Sequence, residues 1–358
     1  MGISTLFMNV FPMKKSKVLF FHPSNDYTGS TRVLANIIRQ DYIGEEVIVI
    51  TNKGEGFLSE LNNVKIKNTW QPYRKGQPIR CVSYIIWFIV SLYLSIRYGF
   101  FHSIFYINTT QPVYAAIAGT ILNKKIIYHV HEVFPKNSLT AVFLRFVFEK
   151  TTAHRIYVSN YTKTQYKDNL KCTWEIKYNK LSPDFVSRIT FLPYEKRKRN
   201  TVLMLSCLDR KKGLFTFIDV ARLVPECTFL LVISKDMQSI EAFFQKAGPL
   251  PGNVKIYPSQ SNIHPLMKNA DLMLNLSIPD LCVETFGMTI LEAMAYGIPS
   301  IVPNVGGPTE LITDGYNGYC LDVTDKKVVA DAIRKSLNKD HYLMLAEHSL
   351  EAYRTKFS

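Results

Sequence analysis

Paired cysteines are missing from this sequence. Its six cysteines (Cys81, Cys172, Cys207, Cys227, Cys282 and Cys320) are scattered, with no Cys-x-x-Cys among them. That argues against a zinc ribbon and against a disulfide framework, and it suits a reduced, cytosolic compartment. An Asp-x-Asp motif is also absent, and His22, His102, His129 and His131 lack helical ligand spacing. No metal and no cofactor are therefore expected. Acids are few, 29 Asp and Glu against 43 Lys and Arg, for a net charge of +14. An anionic partner follows: nucleic acid, an acidic membrane or a phosphorylated substrate. No RNP-type, KH or zinc-finger pattern is present, and the basic clusters are not interleaved with aromatics, which sets nucleic acid aside. Even the apolar run 81–96 holds only 16 residues. As a helix it would be roughly 24 Å long, short of the ~30 Å of a hydrocarbon core. It is apolar all round, which fits a buried helix or one lying on a bilayer. The first 16 residues are apolar and then basic, the reverse of a secretory signal.

What is present is a repeating alternation. A chain of 358 residues suits two domains. Residues 17–23, 46–51, 103–109, 125–131 and 155–159 are nearly continuous apolar runs, as strands buried on both faces are. Helical patterns lie between most of them, the signature of a doubly wound parallel sheet. A basic, proline-containing stretch at 183–200 then reads as a linker. Strand-like runs resume at 201–208, 227–234, 253–258, 271–277 and 299–303, with a helix at 213–224. The fold class is α/β: one Rossmann-like domain over 1–182 and a second over 201–340. A last helix over 341–358 is expected to pack back on the first. Ligands of such sheets bind beyond the carboxyl ends of the strands, here in the cleft between domains.

One segment carries the chemistry. Glu284 and Glu292 stand eight positions apart in the run CVETFGMTILEAMAYGIP. Residues 288–296 form a good helix, stopped by Gly297 and Pro299. The N–H groups of Gly287, Met288 and Thr289 would stand free at its start, ready to cradle a diphosphate. Glu292, one turn in, would repel that phosphate but could accept two hydrogen bonds from a ribose diol beside it. Glu284 could take hydroxyls of a second sugar beyond the diphosphate. The plainer alternative is a surface helix with incidental glutamates.

The wider context resembles glycosyltransferase family 4. The Glu284-x(7)-Glu292 pattern is followed by EAMAYGIPSIVPNVGGPTELI and DGYNGYCL (314–321), in that family's order. SCLDRKKG (206–213) is similar to its S/G-R-L-x-x-x-K-G segment, HPSNDYTGSTRVLANII to its glycine loop, and YHVHE (128–132) to a strand end supplying a histidine. The resemblance implies the GT-B architecture and a retaining transfer from a UDP- or GDP-sugar. By position, Glu292 would hold the ribose and Glu284 the donor sugar. Phe286, Gly287 and Met288 would present amides, and Lys212 would bind the diphosphate. Gly29 would admit phosphate or acceptor, and His131 would lie near the transferred sugar. Cys207 stands where the family has arginine, and Arg210 is expected to reach back and supply the missing charge. The basic balance, the run 81–96 and the amphipathic stretch 138–154 suit a saccharide or lipid-linked acceptor at an anionic membrane surface. A peripheral enzyme on the cytoplasmic face, building a surface polysaccharide or glycolipid, is the expectation. An epimerase of the same fold or an inactive nucleotide-binding scaffold are the alternatives.

Overall fold

A computed structural model of the chain describes residues 17–69, 80–134, 139–192, 195, 200–245 and 248–358. The basic run 196–199 and residues 1–16 lie outside them. The first domain is a parallel sheet of seven strands. They are β1 Val18–Ser24, β2 Val47–Asn52, β3 Val64–Thr69, β4 Ile104–Asn108, β5 Lys125–Val130, β6 His154–Tyr157 and β7 Thr173–Ile176, in the order β3-β2-β1-β4-β5-β6-β7. The second is a parallel sheet of six: β8 Thr201–Ser206, β9 Thr228–Ile233, β10 Val254–Tyr257, β11 Leu272–Leu274, β12 Ser300–Pro303 and β13 Gly318–Leu321. Their order is β10-β9-β8-β11-β12-β13.

In each sheet the order reverses beside the first strand, between β1 and β4 and between β8 and β11. A crevice opens there, and it is where ligands of doubly wound sheets sit. Central strands are apolar on both faces because helices cover both. Leu19, opposite Ile48 and Phe105, is fully buried, as are Phe20 and Phe21. Each such side chain contributes about 1.5–3 kcal/mol by leaving water.

Three strands escape the sequence reading: β3, β7 and β13. All three are edge strands. An edge strand carries one buried face and water on the other, so β3 alternates Val64 and Ile66 with Lys65 and Lys67. Those lysines also discourage pairing with another chain. The linker needs a second correction. Ser182 caps a short helix, Pro183–Ser187, and Phe185 and Ile189 pack on the second domain's core. Residues 183–189 are thus part of that domain rather than free linker. The final helix, Lys339–Lys356, packs on the helix Met288–Ala295. Its end reaches the first domain, where the ring of Phe357 lies 5.3 Å from that of Tyr178.

The apolar run forms a helix, Arg80–Gly99, that is neither fully buried nor fully exposed. Trp87, Phe88, Leu92 and Ile96 face the core, while Tyr84, Ile85, Ile89 and Tyr93 are each more than half exposed. No helix among the described residues is long and apolar enough to cross a membrane.

Candidate active site

The carboxyl ends of both sheets face one cleft, and short polar loops fill it. From the second domain, β8 runs into a tight turn. The Asp209 carboxylate accepts from Lys211 N at 3.1 Å, and Gly213 closes the turn at φ +73°. A Cβ at Gly213 would fall 2.0 Å from the Leu276 carbonyl, so only glycine fits. This turn delivers Lys212, whose Nζ donates to Glu284 Oε2 at 2.6 Å. Burial works against the lysine's charge, but Glu284 outweighs it and raises the Lys212 pKa. The Glu284 loop is fixed from beneath by Gly307, whose N–H donates to the Glu284 carbonyl at 2.9 Å.

The next element is the helix Met288–Ala295. Gly287 caps it at φ +107°, a region that favours glycine, and the Ile290 and Leu291 amides bond back to its carbonyl. The amides of Gly287, Met288 and Thr289 precede the first intrahelical bond, leaving an anion-binding end. Glu292 lies one turn in and is buried. Burial pushes its carboxyl pKa up, and Arg32, which hydrogen-bonds Oε1 from the other domain, opposes the shift. Phe286 is core: its ring packs on Tyr178 and Phe357.

The first domain supplies the opposite wall. Gly29 opens the helix Gly29–Asp41 directly after the β1 loop. A methyl added there would meet only Met288 Cγ, at 4.0 Å, so the starts of two helices from different domains face each other. Leu34, Ala35 and Ile38 bury one side of this helix at helical spacing, and Arg32 is left to reach across to Glu292. His131 follows β5 by one residue. Its Nε2 lies 2.9 Å from Asn108 Oδ1, and its carbonyl accepts from Thr285 Oγ1 at 2.5 Å. Burial and the neighbouring His129 and His22 hold its pKa well below the usual histidine value, so the ring is neutral. Glu132 accepts from the Thr110 amide at 2.7 Å and hydroxyl at 2.9 Å, a role in holding the loop. Buried between these residues, Thr109 is held at φ +83°, a strained conformation for a β-branched residue.

The structure therefore brings Glu284, Lys212, Glu292, Gly287, Met288, Thr289, Gly29 and His131 to one cleft. It does not bring Arg210. That guanidinium lies 5.3 Å from the centroid of Phe215, so the expected compensation for Cys207 is not made there. The cation across from Glu292 is Arg32, which the sequence reading missed. Its position, three residues after Gly29 on the polar side of a helix, was visible; its partner 260 residues away was not. Glu310 was missed too. It accepts from the amides of Asn160 (2.9 Å) and Tyr161 (2.7 Å) and from the Tyr178 hydroxyl (2.9 Å), fastening the domains together. Among the described residues no group of three His, Cys, Asp or Glu gathers as a metal cluster would.

Comparison with known proteins bears on the family and the fold. Residues 190–353 match the family model of glycosyl transferases, group 1. N-acetyl-alpha-D-glucosaminyl L-malate synthase of Bacillus anthracis is 38% identical over 99 residues, 27% of this chain and 25% of that protein. Sucrose-phosphate synthase 4 of Arabidopsis thaliana is 27% identical over 159 residues, and the match spans only 15% of its length. An uncharacterized glycosyltransferase of Methanocaldococcus jannaschii is 23% identical over 68% of both chains. Among solved structures, Anabaena HepE in complex with UDP and glucose superposes with a TM-score of 0.76 at 20% identity, covering 96% of each chain. WaaG, a glycosyltransferase involved in lipopolysaccharide biosynthesis, gives 0.69 at 18% identity over 95% of each. The chain has the GT-B fold.

Proposed function

We propose that the protein transfers a sugar from a nucleoside-diphosphate sugar to a saccharide or lipid-linked acceptor, in the manner of glycosyltransferase family 4. One observation carries the reading. The Lys212–Glu284 pair and the buried Glu292 flank the free amides at Gly287–Thr289, and Gly29 faces them across the cleft. A diphosphate on those amides sets the ribose beside Glu292 and the sugar beside Glu284. The ribose diol takes the place that Arg32 occupies on Glu292, and the freed guanidinium is then a cation for the diphosphate. Lys212 offsets the charge that grows on the departing phosphate. The reading includes retention of configuration. The acceptor hydroxyl attacks C1 from the face the phosphate leaves, the C1–O bond to phosphate breaks, and the proton passes to that phosphate oxygen.

Acceptor delivery belongs to the first domain. The helices Arg80–Gly99 and Leu139–Lys150 expose Ile85, Ile89, Tyr93, Val142, Phe143 and Phe146, with Arg97, Arg145 and Lys150 among them. Apolar side chains ringed by cations suit the cytoplasmic face of an anionic membrane, where each cation contributes about 1 kcal/mol. The deciding experiment is a screen of UDP- and GDP-sugars that follows release of nucleoside diphosphate with and without acceptor. Acceptor-dependent release supports the proposal. Turnover of donor alone would favour an epimerase, and binding without turnover an inactive scaffold.

A further inference from the structure

A polar chain runs inside the first domain from Asp26 to His131, and its direction can be worked out from acceptors that cannot donate. The Asp26 carboxylate accepts from the Thr31 hydroxyl at 2.7 Å, which uses that hydroxyl's one proton. Thr31 Oγ1 must then accept, so His22 Nε2, 2.9 Å away, carries the ring proton. His22 Nδ1 is left as an acceptor, and Asn108 Nδ2 donates to it at 2.9 Å. The Asn108 carbonyl, 3.2 Å from that nitrogen, is the longer contact and receives no proton from it. The second Nδ2 hydrogen goes to the Ser30 carbonyl at 3.0 Å, which fixes the amide's orientation. Asn108 Oδ1 therefore faces His131 Nε2 at 2.9 Å as an acceptor, and Nε2 holds the proton. Thr31, His22 and Asn108 are all buried, so water does not compete for these bonds.

Resting on the proposed function, we infer that Asn108 is a positioning residue, oriented by His22, Thr31 and Asp26, that fixes His131 as the Nε2–H tautomer and leaves Nδ1 to accept a hydrogen bond from a hydroxyl of the donor sugar. No partner for Nδ1 is found among the described residues, and His131 sits half-buried at the domain seam. A lone pair there welcomes a hydroxyl and repels a carboxylate. A donor whose C6 hydroxyl meets Nδ1 is accepted there, and the corresponding uronic acid, with a carboxylate at C6, is rejected. Hydrogen bonds from Ser24, Thr28 and Thr31 outweigh burial and keep Asp26 ionised, which anchors the chain's polarity. The His22 pKa is lowered to about 4 by burial, so that ring stays neutral as the relay requires.

The test uses the full chain and reads the tautomer directly. Long-range 1H–15N spectra of histidine-labelled protein, assigned with His131→Gln, should show protonated Nε2 and bare Nδ1 at His131. Asn108→Ala should mix the two tautomers. Asn108→Asp, whose carboxylate accepts from Nε2 but cannot donate to His22 Nδ1, should keep the Nε2–H form at His131 while moving the His22 proton to Nδ1. Both variants should bind UDP or GDP as the wild type does. Selectivity is measured with UDP-glucose against UDP-glucuronate, or GDP-mannose against GDP-mannuronate, according to the diphosphate bound. It should fall about tenfold in Asn108→Ala. A wild-type His131 protonated on Nδ1, or a tautomer unmoved in Asn108→Ala, overturns the inference. A wild type that binds no nucleoside diphosphate overturns the function and with it the sugar contact, while the spectra still decide the relay.

Discussion

Replacing Arg32 by methionine should destabilise the protein in a pH-dependent manner. Glu292 is 1% exposed and is paired with Arg32. Removing one partner of a buried ion pair costs about 3–5 kcal/mol. The Arg32 side chain is 38% exposed, so solvent screening reduces the figure to about 1–3 kcal/mol. The sign follows from Glu292. Burial holds its folded pKa above the unfolded value, so its ionisation opposes folding as pH rises from the lower value to the higher. Arg32 limits that rise, and without it the folded pKa climbs further. The loss in Arg32→Met should be full at mildly alkaline pH and should shrink at mildly acidic pH, as Glu292 takes up its proton. Thermal unfolding should show a Tm deficit of roughly 2–4 °C per kcal/mol at the higher pH. Glu292→Gln placed in the Arg32→Met background should recover most of it, because a neutral amide needs no counter-charge. An equal deficit at both pH values, or a double variant no better than the single, would refute the reasoning.

The remaining predictions are shorter. Glu292→Ala should weaken binding of the cognate nucleoside diphosphate by roughly 10- to 150-fold in calorimetry, the worth of a charge-assisted bond of about 1.5–3 kcal/mol. Glu284→Ala should bind free nucleoside diphosphate nearly as wild type and yet lose transfer; equal loss of both would move Glu284 to a structural role. Arg210→Ala should leave kcat/KM within about twofold, since that side chain lies on Phe215, whereas Lys212→Ala should cost about 100-fold or more. In sedimentation with anionic liposomes, the double variant Ile89→Asp and Phe146→Asp should bind less than wild type at low salt. Indifference to those two changes would remove the helix faces as the docking surface.

What was legible in the sequence was whatever is local. Strands covered on both faces announce themselves as unbroken apolar runs, so β1, β2, β4, β5 and β6 were found within a residue or two. The Met288 helix was found because its stop signals and its glycine start are adjacent in the chain. Of the four edge strands only β10 was found; β3 and β7 were lost because exposed polar residues break their apolar runs, and β13 because its four residues, Gly318–Leu321, make too short a run. Arg32 and Glu310 were lost for a different reason. Each is an ordinary charged residue on a helix, and only the partner, across the cleft, gives it meaning.

That division bears on Cys207. Along the chain the nearest replacement cation is Arg210, three residues on. The fold offers another answer. The turn 210–212 spends its geometry on aiming Lys212 at Glu284, so Arg210 is carried outward onto Phe215. Meanwhile the Gly29 helix, whose buried face is fixed by Leu34, Ala35 and Ile38, points Arg32 at the cleft. Its guanidinium already reaches the carboxylate proposed to hold the ribose. A cation lost from one wall of a two-domain cleft can be supplied from the other wall, and no distance in the sequence measures that separation. If Arg32 fills this role, Arg32→Lys should keep stability near wild type while lowering kcat/KM, because one ammonium cannot span the phosphate oxygens as a planar fork does. A lysine variant with unchanged kcat/KM would return the missing charge to an unidentified group.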